Sequence, residues 1–406
     1  MVELNRLFGS SSYTLKANIW AQFSGVIIML TIPNILSVED YAKVVYFTFL
    51  LSFVSLYDLG LVAVYNRLIP GLVVRNTKKV QEIESALIRY IIFMSVIFGA
   101  MISFVYYNKY SSIIESSLIF IYLPVFLIVS FSIVRDIVRE DYQTYYYNIR
   151  FQSIIKLTQV PLIYAFSIVG WFISGLIVYA LLFLRVFKRD IFKANYNFSF
   201  IKDNLKEGVE LSAKTFVWLQ MLSFPRTYAS INYSDELIAQ YGLVNTIYQA
   251  VVSLSLAVFV PVTVKTFKLF SKSDRLAYFY LKKVLKNTMP LFFVGTVLLI
   301  LTLPEIISIA FPKYNIPFGM IAGYFGTVMF LPLFFIFGNI LAAKKEHNAM
   351  TIILVIWISL LYMCICCTNI ISISSGFFIM LLFSTLSLYV NIKLKQKRAI
   401  HLTLNP

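Results

Sequence analysis

The sequence is poor in charge and in reactive side chains: of 406 residues, 13% are charged, three are cysteine and two are histidine. Against 59% hydrophobic residues and a mean hydropathy of +0.80, that little charge excludes a water-soluble globule, which would have too few polar groups to cover its surface. Cys364, Cys366 and Cys367 fall together in the apolar run "MCICCTNI", where their formal C-x-x-C spacing has no metal or redox setting. His347 and His401 lie in basic segments. The chain therefore offers neither a zinc constellation nor a histidine general base, and no cofactor or metal is expected. The opening "MVELNRLFGSSSYTLKANIW" continues into "FSGVIIMLTIPNIL" without a small-residue cleavage site, so no cleavable signal peptide is expected.

What the sequence has in abundance is apolar residues in blocks of about 20, the length a helix needs to cross a bilayer core. Spans are expected near 15–35, 41–64, 90–107, 117–134, 151–168, 169–187, 211–231, 237–262, 288–304, 318–342, 350–370 and 372–392. The fold class is thus an all-α polytopic membrane protein of about twelve transmembrane helices. Orientation follows from the basic residues, which stay in the cytoplasm when they lie in short loops. Arg67, Arg75, Lys78, Lys79 and Arg89 separate spans two and three. Arg185, Lys188, Arg189, Lys193, Lys202 and Lys206 separate six and seven, and seven further Lys or Arg between 265 and 286 separate eight and nine. The opposite connections hold little beyond Lys43, Lys109 and Lys313, so both termini are expected in the cytoplasm. The net charge of +16 is then a topology signal, spread over many loops and unsuited to nucleic acid.

The chain also repeats its plan. "SVEDYAKVVYFTFLLSF" at 37–53 and "SDELIAQYGLVNTIYQA" at 234–250 each place a serine and an acidic pair before an even-numbered span, and the longest hydrophilic connection falls near mid-chain. Two pseudo-symmetric six-helix bundles are expected, residues 1–190 and 211–406, joined by a cytoplasmic linker at 191–210. The halves run in the same direction, which implies a pseudo-two-fold axis along the membrane normal.

Polar residues at helical spacing mark four spans as candidate cavity walls. The first carries Asn18, Gln22 and Gly25; the second carries Thr48, Ser52, Ser55 and Asp58; the eighth carries Asn245 and Gln249. The seventh carries Gln220 and then "LSFPRTYAS", where Pro225 interrupts the helix beside Arg226. An ionised side chain at membrane depth costs at least ~2.5 kcal/mol, so Asp58 in "SLYDLGLVAVYNRLIP" must face water or a partner. One reading makes it a helix-end residue or the partner of a base such as Arg67 or Lys265; the other makes it an ion- or proton-responsive cavity residue. Arg226 likewise reads either as a cavity cation, whose planar fork suits phosphate, or as a side chain snorkelling to the outer surface.

The stretch "NILSVEDYAKVVYFTFLLSFVSLYDLGLVAVYNRLIP" resembles the N-terminal region of bacterial lipid-linked oligosaccharide flippases of the Wzx type. "YSDELIAQYGLVNTIYQAVVSLSLAVFVPVTVKTF" is similar to the start of that family's second lobe, although "AQYGLVN" stands where a Gly-Tyr pair is common. The resemblance implies a member of the multidrug/oligosaccharidyl-lipid/polysaccharide exporter superfamily in the bacterial inner membrane. Such a protein is a transporter and not an enzyme, and moves an undecaprenyl-diphosphate-linked oligosaccharide between leaflets by alternating access for O-antigen or capsule assembly, with a polysaccharide polymerase as possible partner. On that reading Arg226, with Lys16 and Arg67 nearer the cytoplasmic mouth, would meet the diphosphate, Asn18, Gln22, Asn245, Gln249 and the many tyrosines would hydrogen-bond or stack on the sugars, and Gln220 and Asp58 would also line the cavity. Two rivals stand beside it: a cation-coupled exporter of the same superfamily, which should carry cavity acids, and a polymerase or ligase, which should carry a large outward loop. The longest outward loops, such as "EIISIAFPKYNIP", have only about a dozen residues.

Overall fold

The computed structural model describes residues 2–73, 76–186, 198–270, 273–343, 347–368 and 372–404. These are helical throughout apart from short turns, and they fall into two compact units, Met1–Phe216 and Val217–Pro406. The chain is an all-α polytopic membrane protein with two six-span bundles. Seven helical stretches among the described residues are long and apolar enough to cross a bilayer, two of them interrupted: Gln159–Val186 at Ser167 and Phe318–Gly338 by a 3-10 segment. Several other spans are built from shorter pieces.

The first unit contains α1 (Val2–Ile35), α2 (Val38–Leu51), a 3-10 segment (Ser52–Leu56), α3 (Leu61–Val73), α4 (Thr77–Tyr110), α5 (Ile113–Val138), α6 (Tyr142–Lys156) and α7 (Gln159–Val186). α8 (Ser199–Leu222) contains the unit boundary. Of the expected linker at 191–210, residues 199–210 form the first half of this helix, and 191–197 lie outside the described residues. The second unit continues with α9 (Phe224–Asn232), α10 (Asp235–Phe270), α11 (Asp274–Ala310), α12 (Phe318–Gly326), a 3-10 segment (Thr327–Phe330), α13 (Leu331–Ala343), α14 (His347–Thr368) and α15 (Ile373–Leu404).

The helix starts follow their capping residues. Ser37 Oγ accepts from Asp40 N at 3.1 Å, Asn76 Oδ1 from Lys79 N at 3.0 Å and Asp141 Oδ1 from Thr144 N at 3.1 Å, each satisfying an otherwise orphaned N–H group. The repeated serines behave alike in the two units: Ser37 O accepts from Tyr41 N at 2.9 Å, and Ser234 O accepts from Ile238 N at 3.0 Å.

The fifth and sixth spans differ from the hydropathy reading. The chain reverses at Ser167, where φ is 50° and ψ is −133°, and a Cβ on Gly170 would lie 2.0 Å from Leu162 O. Span five is therefore α6 plus the first turns of α7, and begins at Tyr142, nine residues before the apolar block. Its early part is polar in composition, but aromatic and cationic contacts hold it to α1: Tyr146 lies 5.8 Å from Tyr13, and the Arg150 guanidinium lies 5.4 Å from the Trp20 ring.

Lipid tails are as apolar as leucine, so close packing and aromatic geometry have to do what the hydrophobic effect does in water. In the first unit Tyr65, Phe131, Leu61, Val64 and Leu87 form one buried cluster. In the second, Tyr248 meets Tyr324 at 5.5 Å and Phe377 at 5.8 Å, both edge-on, an arrangement worth about 0.5–1.5 kcal/mol per pair beyond burial.

Candidate functional site

Asp58 sits where the second span breaks. Between the 3-10 segment and α3, Leu59 has φ 49° and Gly60 φ 73°, so the chain passes through two left-handed residues before it resumes a helix. The Asp58 carboxylate is buried and accepts from Gly60 N at 3.1 Å and Val62 N at 2.8 Å. It thereby closes the exposed N–H end of α3, where the helix dipole also favours negative charge. Of the two readings left open by the sequence, this geometry is that of the helix-end residue. Arg67, one suggested partner, forms an ion pair with Glu207 of α8 instead. The side chain of Lys265, the other, lies outside the described residues.

The same turn is where α8 crosses the first unit. A Cβ on Gly60 would lie 1.9 Å from Gly208 O, and one on Gly208 would lie 2.5 Å from Leu59 O. Two glycines facing one another let the backbones touch, and the Arg67–Glu207 pair lies one residue before Gly208 on α8.

In the second unit three of the sequence-selected residues gather at the interruption between α8 and α9. The helix stops at Leu222 and restarts at Phe224, with Pro225 in the first turn. The break exposes the Leu222 carbonyl, and Gln249 Nε2, reaching across from α10, donates to it at 3.1 Å. Gln220 Oε1 accepts from Thr227 Oγ1 at 3.0 Å across the same break. Arg226 is half-buried, and Tyr324 lies within electrostatic range of its guanidinium. Asn245, one turn before Gln249, is buried with its Oδ1 accepting no hydrogen bond among the described groups.

The α1 residues form a separate group. Lys16, Asn18, Gln22 and Gly25 are all exposed, Lys16 Nζ lies 5.8 Å from the Tyr13 ring, and nothing lies within 4 Å of a Cβ on Gly25. The polar stripe of the first span is thus a continuous uncovered face. That of the second is not: Thr48 and Ser52 give their hydroxyl protons to Val44 O and Phe49 O of their own helix, and the side chain of Ser55 lies outside the described residues.

Sequence reasoning missed a set of buried charges in the first unit. Glu84 takes two hydrogen bonds from Arg139, at 2.8 and 2.5 Å, and a third from Tyr65 Oη at 2.8 Å. Asp136 is held by Arg135 at 3.6 Å and by Asn148 Nδ2 at 3.0 Å. Towards the other end, Glu115 takes Lys43 Nζ at 3.2 Å and Tyr106 Oη at 2.5 Å. The available signal was the spacing of Arg135 and Arg139, four apart on one face of the end of α5. At span ends such residues look the same as topology charges.

No protein-family model and no curated protein sequence matches the chain. Solved structures do. An inward-facing multidrug resistance MATE family transporter of the MOP superfamily superposes with a TM-score of 0.66 at 16% identity over 96% of each chain. The lipid II flippase MurJ, in an inward closed conformation, gives 0.66 at 17% identity over 95% of this chain and 87% of its own. A mutant of the Vibrio cholerae MATE transporter VcmN gives 0.61 at 11% identity over 97% and 96%. At these identities the likeness is one of fold, and the chain has the fold shared by these transporters of the MOP superfamily.

Proposed function

We propose that the chain is a flippase that carries an undecaprenyl-diphosphate-linked oligosaccharide from the cytoplasmic to the periplasmic leaflet of the bacterial inner membrane, for O-antigen or capsular polysaccharide assembly. A diphosphate and a polar oligosaccharide cannot cross about 30 Å of hydrocarbon unaided, so the carrier has to supply a polar and preferably cationic path while the prenyl tail stays in lipid. Both termini lie in the cytoplasm on this reading, and the polysaccharide polymerase is the natural recipient of the flipped unit.

The observation that supports it is the engagement of the buried acids. Among the described residues four are buried: Asp58, Glu84, Glu115 and Asp136. Asp58 caps a helix, and each of the other three is held by Arg or Lys. Among the described residues no buried carboxylate is left to receive a cationic drug, and Arg226 lies at a helix break within electrostatic range of Tyr324. That balance favours an anionic, sugar-bearing cargo over the cations expected of the rival exporter. Similarity in fold to a lipid II flippase is consistent with it.

Deletion of the gene in its own strain tests the reading. A prenyl-linked oligosaccharide should accumulate in the cytoplasmic leaflet while surface polysaccharide is lost. Normal surface polysaccharide combined with greater sensitivity to a cationic drug would replace the flippase with the exporter.

A further inference from the structure

Where α5 ends, α6 begins and α7 ends, the first unit holds a cavity of about 130 Å³ lined by Arg135, Asp136, Thr144, Tyr147, Asn148 and Arg185. That is room for about four waters at ~30 Å³ each, or one tetrahedral oxyanion. Its walls are rigidly built. Asp136 fixes the Asn148 amide at 3.0 Å, and Asn148 Oδ1 in turn accepts from Arg185 Nε at 3.0 Å. The Arg185 guanidinium lies 4.9 Å from the Phe151 ring, and its inner nitrogen is occupied by Asn148. Arg135, only 3% exposed, contacts Asp136 at 3.6 Å and Val186 O at 3.5 Å through one nitrogen. Tyr147, 42% exposed, marks the open rim.

The charges in this cavity do not balance. Two guanidinium groups face one carboxylate, and the neighbouring Arg139 is already matched by Glu84. The nearest other acids, Glu140 and Asp141, are exposed, and Asp141 is turned to the N–H of Thr144. Arg135 is buried and has Asp136 as its counter-charge, whereas Arg185 is exposed at the cavity mouth with no carboxylate of its own among the lining residues, and its planar fork of donors matches phosphate oxygens in pairs. Thr144, in the first turn of α6, adds a hydroxyl on the same wall.

We infer that this cavity is a binding site for a phosphate-bearing anion, taken either from a membrane lipid headgroup or from solution, with Arg135 and Arg185 as its cationic ligands. It lies wholly within the first unit and makes no use of Arg226 or the α8–α9 break. It therefore stands or falls separately from the identity of the transported cargo.

Thermal unfolding of the full-length protein, purified and delipidated in a neutral detergent, tests the site with two probes: inorganic phosphate and short-chain phosphatidylglycerol, each against matched chloride. Protection by phosphate identifies a soluble source, and protection by phosphatidylglycerol alone identifies a lipid headgroup; either supports the site. Arg185→Gln, which keeps a donor towards Asn148, should weaken the apparent affinity at least tenfold, and Arg185→Lys, which keeps the charge but loses the fork, should weaken it severalfold. Lys283→Gln makes the same charge change on an exposed position of α11 and should leave protection intact. Absence of protection by both probes overturns the inference, and so does unchanged affinity in whichever Arg185 variant folds.

Discussion

Replacing Gly60 by alanine perturbs one atom, and the structure says where it goes. The new Cβ would lie 1.9 Å from Gly208 O, 2.7 Å from Gly208 C and 3.0 Å from Ser212 N. Cβ contacts below 3.0 Å essentially never occur, so α8 and the turn have to separate by about 1 Å. Forcing that separation into a packed contact costs about 1–3 kcal/mol. The φ of 73° adds a second cost of about 1–2 kcal/mol, because an L side chain there crowds the following carbonyl. Gly60→Ala should therefore destabilise by about 2–5 kcal/mol. Gly208→Ala provides the internal comparison: its Cβ meets Leu59 O at 2.5 Å, but the residue is helical, so only the packing cost applies. Thermal or denaturant unfolding in detergent should rank wild type above Gly208→Ala, and that above Gly60→Ala. Equal stability of Gly60→Ala and wild type would show that α8 does not cross the turn at these two glycines. Equal losses in the two variants would refute the backbone part of the reasoning alone.

Asp58→Ala removes both acceptors at the α3 terminus and should lose about 0.5–2 kcal/mol, with Asp58→Asn, which retains one, losing less; neutralising Arg67 should give no rescue, because Arg67 pairs with Glu207, and membrane abundance of the single and double variants checks this. Glu84→Gln strands Arg139 and should cost about 3 kcal/mol, near the low end for a buried pair because Arg139 is more than a third exposed; Arg139→Gln in the same chain should recover part of it in an unfolding titration. Arg226→Lys should retain part of the surface polysaccharide, whereas alanine or glutamate should abolish it at unchanged protein level; full activity of the glutamate variant would leave Arg226 a snorkelling residue. Cysteines placed at Lys78 and Lys202 should resist an impermeant thiol reagent in intact cells, and labelling at both would invert the orientation.

The span positions were legible because a bilayer imposes a length on apolar sequence, and the exceptions are informative. Span five begins at Tyr142, where "YQTYYYNIRF" is too polar for a hydropathy window, because its partners are rings and a guanidinium on α1 instead of lipid. The break at Asp58 was half legible: the acid at depth was conspicuous and Gly60 stood two residues on, but only the backbone shows that the acid's partners are N–H groups and not a cation. Pro225 announced the second break. Its repair was hidden, since Gln249 and Leu222 are 27 residues apart and no local pattern joins them. Glu84 and Arg139 are 55 apart and were lost among charges that the inside loops carry anyway.

The two breaks solve one problem from opposite ends. Within hydrocarbon every interrupted helix leaves N–H groups on one side and carbonyls on the other, with no water to take them. In the first unit a carboxylate, Asp58, takes the N–H groups of Gly60 and Val62 at the start of α3; in the second a carboxamide, Gln249, supplies a donor to the last carbonyl of α8. A polar side chain at membrane depth is thus committed first to the backbone wherever a helix is broken beside it, and reaches a cargo only if it is not so used. That criterion divides the candidate residues. Asp58 and Gln249 close breaks, Gln220 bridges one, and Arg67 joins α3 to α8. Asn245 and the exposed stripe of Lys16, Asn18 and Gln22 close none among the described hydrogen bonds, so a substitution in that stripe should alter transport with little loss of stability, whereas a substitution in the first group should lose stability before it reveals anything about the cargo.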